Sequence, residues 1–98
     1  MIVRIVKMTF APDKVDAFLN VFESSKNKIR NFEGCLFLEL LQDKTNPNIF
    51  FTHSHWLAEE HLHNYRHSEL FTTTWAKTKP LFKEKAEAWS LGVKSKPE

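Results

Sequence analysis

Cysteine is almost missing from this chain: Cys35 is the only one. No intrachain disulfide can form, and a disulfide-stapled secreted domain is excluded. Long apolar runs are missing too, since nothing approaches the roughly 20 residues needed to span a bilayer. The N-terminal stretch Ile2-Val3-Arg4-Ile5-Val6-Lys7 carries two charges, which break up any signal-peptide core. An excess of one charge is also lacking. Fourteen Lys and Arg stand against twelve Asp and Glu, for a net charge of +2. Acids and bases are interleaved, with no basic stripe to track phosphates, so nucleic acid is not an expected partner. No repeat, linker or low-complexity segment is present. These absences point to a soluble cytoplasmic protein with neither a nucleic-acid nor a membrane partner.

Apolar and aromatic residues are plentiful. Of 98 residues 42% are hydrophobic, with nine Phe and three Trp, which argues against disorder. The length suits one domain, expected over residues 1–93 with a polar tail at 94–98. Ile2 to Phe10 reads as a strand, being β-branched and interrupted at even intervals. Pro12 is placed to start a helix, along which Val15, Phe18, Leu19, Phe22 and Ile29 recur at helical spacing. Gly34 is expected as its C-terminal cap.

Cys35 to Gln42 is nearly all apolar and reads as a second strand. The turn formers Asp43 to Asn48 link it to a third, Ile49 to Trp56, as an antiparallel hairpin. Glu59 and Glu60 open a short helix, with Leu62 and Tyr65 inward. Ser68 can cap a further helix whose stripe is Phe71, Trp75, Thr78 and Phe82, with a kink or break at Pro80. Ala86 to Val93 is the last expected strand.

The order β-α-β-β-α-β predicts an α+β, ferredoxin-like domain with a four-stranded antiparallel sheet. Helices cover one face of such a sheet. Here the strands are apolar on both faces, as Leu36, Leu38 and Leu40 alternate with Phe37 and Leu41. A second copy of the chain is the expected cover for the other face, giving a homodimer.

Several features together resemble the antibiotic biosynthesis monooxygenase family. They are Gly34-Cys35 before an apolar strand, the turn Asn46-Pro47-Asn48, the strand ending in Trp56, the acidic pair Glu59-Glu60, and Tyr65-Arg66-His67-Ser68-Glu69-Leu70-Phe71. The resemblance spans roughly residues 2 to 92 and rests on order and spacing more than on one motif. It implies a dimeric α/β barrel in which each subunit keeps a pocket between sheet and helices. Family activities include cofactor-independent oxidation of polycyclic aromatics, quinol oxidation and haem degradation, and relatives on the fold act as isomerases. The haem-degrading branch has an Asn on the first strand, a Trp on the short helix and a His ligand on the next helix. This chain has no Asn on that strand, with Tyr65 and Trp75 at the other two places, so haem degradation does not carry over. Relatives often have Ser where Ala58 stands.

Five histidines fall between residues 53 and 67. His53 and His55 alternate on a strand and share a face, about 6–7 Å apart. His63 and His67 lie one helical turn apart. Either pair could hold a metal, but no acid at fixed spacing completes either, and no metal is assigned. A histidine could instead take a proton from a phenol or hydroquinone. The enzyme expectation is therefore a cofactor-independent monooxygenase acting on a phenolic, quinol-like or polycyclic aromatic molecule. It needs no cofactor. His53 or His55 would converge with Tyr65 or His67 on a cavity lined by Phe51, Trp56, Phe71 and Trp75, with Arg4 facing a substrate anion. The competing expectations are a non-catalytic dimeric small-ligand-binding module and an isomerase on the same fold.

Overall fold

The computed structural model describes residues 1–97. Seven elements follow one another: β1 (Ile2–Phe10), α1 (Val15–Arg30), β2 (Cys35–Gln42), β3 (Ile49–Trp56), α2 (Glu59–Arg66), α3 (Glu69–Thr78) and β4 (Phe82–Leu91). Short 3-10 turns precede α1 at Pro12–Lys14 and β4 at Lys79–Leu81. The strands form one antiparallel sheet in the order β2-β3-β1-β4. This is the expected ferredoxin-like α+β arrangement.

Two boundaries differ from the sequence reading. Gly34 does not cap α1, which ends at Arg30 and is closed by the Asn31 N–H bonding back to the Asn27 carbonyl and the Phe32 N–H to the Ile29 carbonyl. Gly34 instead sits in the turn into β2 with φ of 88°, a conformation that favours glycine. The second difference is that β4 starts at Phe82 and ends at Leu91, rather than running from Ala86 to Val93. Pro80 lies in the 3-10 turn that ends the helix, and Phe82 is already extended and paired with Phe10. Phe82 thus leaves the helical stripe its spacing suggested.

Local chemistry explains the other ends. The Ser68 hydroxyl accepts from the Phe71 N–H at 3.1 Å and caps α3. Ala58 at the start of α2 offers no side-chain cap. In the β2–β3 turn the Asp43 carboxylate accepts from the N–H groups of Thr45 and Asn46, both at 2.8 Å. Those two bonds hold its pKa below the usual carboxylate range.

The core lies between the sheet and the helices in two clusters. Met8, Phe10, Phe18 and Phe50 form one, with the Phe10 and Phe18 rings stacked at 4.2 Å. Cys35, Trp56 and Leu62 form the other, with Phe32 and Tyr65 packed against it. Among the described residues no helix lies on the opposite sheet face. Strand pairing lines it up in three rows: Leu41, Phe51, Lys7 and Glu87; Glu39, His53, Ile5 and Trp89; Phe37, His55, Val3 and Leu91. Leu41, Trp89 and Leu91 are exposed there. Among the described residues no helix is long and apolar enough to cross a membrane.

Candidate active site

A cavity of about 290 Å³, partly open to solvent, lies between the helix-facing side of the sheet and all three helices. Residue size along the strands accounts for it. On β3 the helix-facing positions are Phe50, Thr52, Ser54 and Trp56, two large side chains framing two small ones. On β4 the neighbouring floor positions are Ala86 and Ala88. The floor is therefore low at its centre, and helices carrying Phe22, Phe71 and Trp75 cannot close down onto it.

The walls are aromatic. Tyr65 stacks on Trp56 at 5.0 Å and meets Phe71 edge-on at 5.3 Å. Phe71 stacks on Trp75 at 5.8 Å. Several polar groups of the lining are already engaged. Ser54 Oγ accepts from Trp56 Nε1 at 3.0 Å, Ser25 Oγ donates to the Val21 carbonyl at 2.9 Å, and Thr78 Oγ1 donates to the Thr74 carbonyl at 2.8 Å. Tyr65 is buried enough that its phenol is pushed well above its ordinary pKa, with the nearby Cys35 adding to the rise. It therefore stays a neutral donor and is not a base near neutral pH. Arg4 stands on the central strand β1, and its Nη1 donates to Ser90 Oγ at 2.9 Å.

Of the expected site residues, the fold brings Tyr65, Trp56, Phe71, Trp75 and Arg4 together around this cavity. Phe51, His53 and His55 are not among them. Side chains alternate along a strand, so these odd-numbered positions project from the uncovered face while Thr52, Ser54 and Trp56 face the helices. The expected convergence of His53 or His55 with Tyr65 does not occur. On the uncovered face His53 Nδ1 lies 3.1 Å from Glu39 Oε1, and its Nε2 lies 3.0 Å from His55 Nε2. Phe37 packs on both imidazoles. His67 also stays outside the cavity, exposed at the C-terminal end of α2, with Nδ1 donating to the His63 carbonyl at 2.8 Å. Among the described residues no three His, Cys, Asp or Glu side chains converge as a metal site.

Sequence reasoning missed Arg66, which joins Arg4 at the cavity. No local pattern signals it, since α2 is short and polar and Leu62 is its one buried residue. It also missed the small floor residues Thr52, Ser54, Ala86 and Ala88.

A ferredoxin-like domain holding an aromatic-walled cavity between sheet and helices defines the class. The family model for antibiotic biosynthesis monooxygenase matches residues 1–77, and this chain belongs to that family. The match ends within α3, short of β4. No curated protein matches the sequence. Solved structures share the fold closely at low identity. One is an antibiotic biosynthesis monooxygenase with a TM-score of 0.89 and 19% identity over 95% of this chain and 98% of that one. Another, a conserved protein of Methanosarcina mazei, gives 0.87 and 24% over 93% and 91%. Rv0793 of Mycobacterium tuberculosis gives 0.89 and 14% over 99% and 98%.

Proposed function

We propose that this protein is a cofactor-independent monooxygenase that oxidises a phenolic, quinol-like or polycyclic aromatic molecule in the cavity. The observation that carries the reading is the aromatic-walled cavity in a chain of this family. A volume near 290 Å³ lies at the lower end of ligand pockets, about 300–1,000 Å³, which suits two or three fused rings. The rings would lie between Trp56, Phe71 and Trp75, with Tyr65 donating a hydrogen bond and Arg4 facing the charge that develops on the substrate.

For an anthrone-like substrate the step balances as follows. The ring methylene loses a proton, and the resulting anion gives up electrons to O₂. One oxygen atom ends as the new ring carbonyl and the other leaves as water. Four electrons leave the substrate and four reduce O₂. No imidazole or carboxylate lines the cavity among the described residues, so the proton passes to water at the mouth. The substrate must therefore be acidic.

That lack of a base supports a second reading, a non-catalytic module that binds an aromatic ligand unchanged. Oxygen uptake with a panel of hydroquinones and anthrone-like compounds separates the two. Turnover should consume one O₂ per product and disappear in Ala88→Leu, whose larger side chain fills the floor. If no compound is turned over while several raise the melting temperature, the binding module is the correct reading. We also propose that a second copy covers the uncovered sheet face, on which Leu41, Trp89 and Leu91 are exposed.

A further inference from the structure

We propose that Arg4 and Arg66 form an anion subsite in the cavity, and that its ligand is a planar aromatic anion with its charged oxygens directed at these two guanidinium groups.

The argument begins with charge. Both arginines line the same cavity, Arg4 from the middle of β1 and Arg66 from the end of α2. No aspartate or glutamate lines it among the described residues. Among the described residues Lys26 pairs with Glu23 and His53 lies beside Glu39, and neither arginine makes a contact of this kind with a carboxylate. Arg4 has instead a neutral hydroxyl, that of Ser90, as its side-chain partner.

The two cations also act on each other. Burial lowers the Arg4 pKa first, and the charge of Arg66 lowers it further. The attraction of a nearby anion would offset both effects. Arg4, half-buried, and Arg66, exposed, both border this apolar space with no carboxylate beside them among the described residues, so an anionic ligand would bring the opposite charge. The guanidinium group matches planar carboxylate or enolate oxygens through paired N–H donors. The aromatic walls supply the remainder of the recognition, because Trp56, Phe71 and Trp75 line the same cavity and a flat ring packs well against aromatic side chains.

This inference deepens the proposed function and rests on the cavity being the binding site. Calorimetric titration tests it with naphthalene-2-carboxylate, its neutral isostere naphthalene-2-carboxamide, and an acidic nitronaphthol that is ionised at neutral pH. The wild-type protein should bind both anions about 10- to 100-fold more tightly than the amide, with the gap narrowing as salt rises. Arg66→Gln should bring carboxylate and amide to within about 3-fold, and Arg66→Lys should restore part of the preference. Arg4→Gln should act in the same direction. Because Arg66 is exposed, its variants keep the fold, checked by circular dichroism. Equal wild-type affinity for carboxylate and amide overturns the anion subsite and leaves the cavity reading standing. Binding of none of the three overturns both. A preference for carboxylate with none for the nitronaphtholate limits the class to aryl carboxylates.

Discussion

Gly34→Ala tests how the turn before β2 holds the site together. Gly34 has φ of 88°, where a residue with a Cβ is strained by about 1–3 kcal/mol. Space is the second obstacle, since a Cβ on Gly34 would run into the Cβ and ring of His61 on α2. Overpacking of that kind costs about a further 1–3 kcal/mol. The sum, about 2–6 kcal/mol, is a large part of the 5–15 kcal/mol that holds a typical domain folded. For a chain of this length each kcal/mol lowers Tm by about 4–8 °C, so a fall of at least 8 °C is expected. The Gly34 carbonyl also accepts from the Leu57 N–H at 2.8 Å, which fastens the turn to the end of β3. Helix α2, which carries Tyr65 and Arg66 to the cavity, should therefore shift as well. Thermal unfolding measures the total. A double-mutant cycle with His61→Gly separates the two parts, because His61→Ala would keep the offending Cβ. Gly34→Ala should cost less in the His61→Gly background, by the steric share. A Tm change under about 4 °C, or a cycle with no coupling, would refute the claim that this close approach fixes α2.

Four further outcomes are expected. Ala58→Ser should add the missing cap of α2 and stabilise by about 1 kcal/mol, read as a Tm rise of a few degrees; no rise means that the N-terminus of α2 is satisfied otherwise. Phe10→Ala removes a ring with no solvent exposure and should cost about 3–5 kcal/mol in chemical denaturation. Tyr65 is the only tyrosine, so absorbance at 295 nm follows it alone. Its phenol and the Cys35 thiol are both raised, chiefly by burial. Their stabilising share is intact below the unfolded-state pKa values, about 8.5 for Cys and 10 for Tyr, and is lost as pH climbs above them at up to about 1.4 kcal/mol per pH unit for each group. Tyrosine ionisation should therefore lag behind that of a free phenol and coincide with unfolding, whereas reversible ionisation near pH 10 with the fold intact contradicts the burial argument. Leu91→Glu on the uncovered face should turn a dimer into a monomer in sedimentation, and a wild-type monomer would remove the proposed second copy.

The fold was legible because each element has a clear period and the breaks carry turn formers. The two misplaced boundaries have physical causes. Phe71, Trp75, Thr78 and Phe82 recur at helical spacing, yet Pro80 lacks an N–H and turns the chain, so the last of them begins a strand. Gly34 looked like a cap because glycine is common just beyond helices. The chain spends three residues after Arg30 before it needs the left-handed conformation. Arg66 was hidden for a different reason. An arginine on a short, polar helix ordinarily points to water, and only the placement of α2 over the sheet turns this one toward Arg4.

The histidines illustrate a constraint that sequence alone could have enforced. Trp56 and His55 are adjacent on one strand, so they cannot line the same cavity, and the same holds for Trp56 with His53 or Phe51. Choosing between the two sets is a question of volume. Phe50 and Trp56 are the large residues that must be buried, and both are nearly inaccessible. Their face therefore belongs to the helices, which sends the imidazoles to the uncovered side beside Glu39 and Phe37. The same parity makes Thr52 and Ser54 the cavity floor, directly beside Val6 and Arg4 of β1. A charge beside a row of small residues, framed by two large aromatics, is thus written into alternate positions of two strands. If a second copy does cover the other face, the Glu39, His53 and His55 chain becomes part of the seam between subunits. Its hydrogen bonds would then bear on dimer strength and leave the cavity untouched, so histidine substitutions should shift association before they alter ligand affinity.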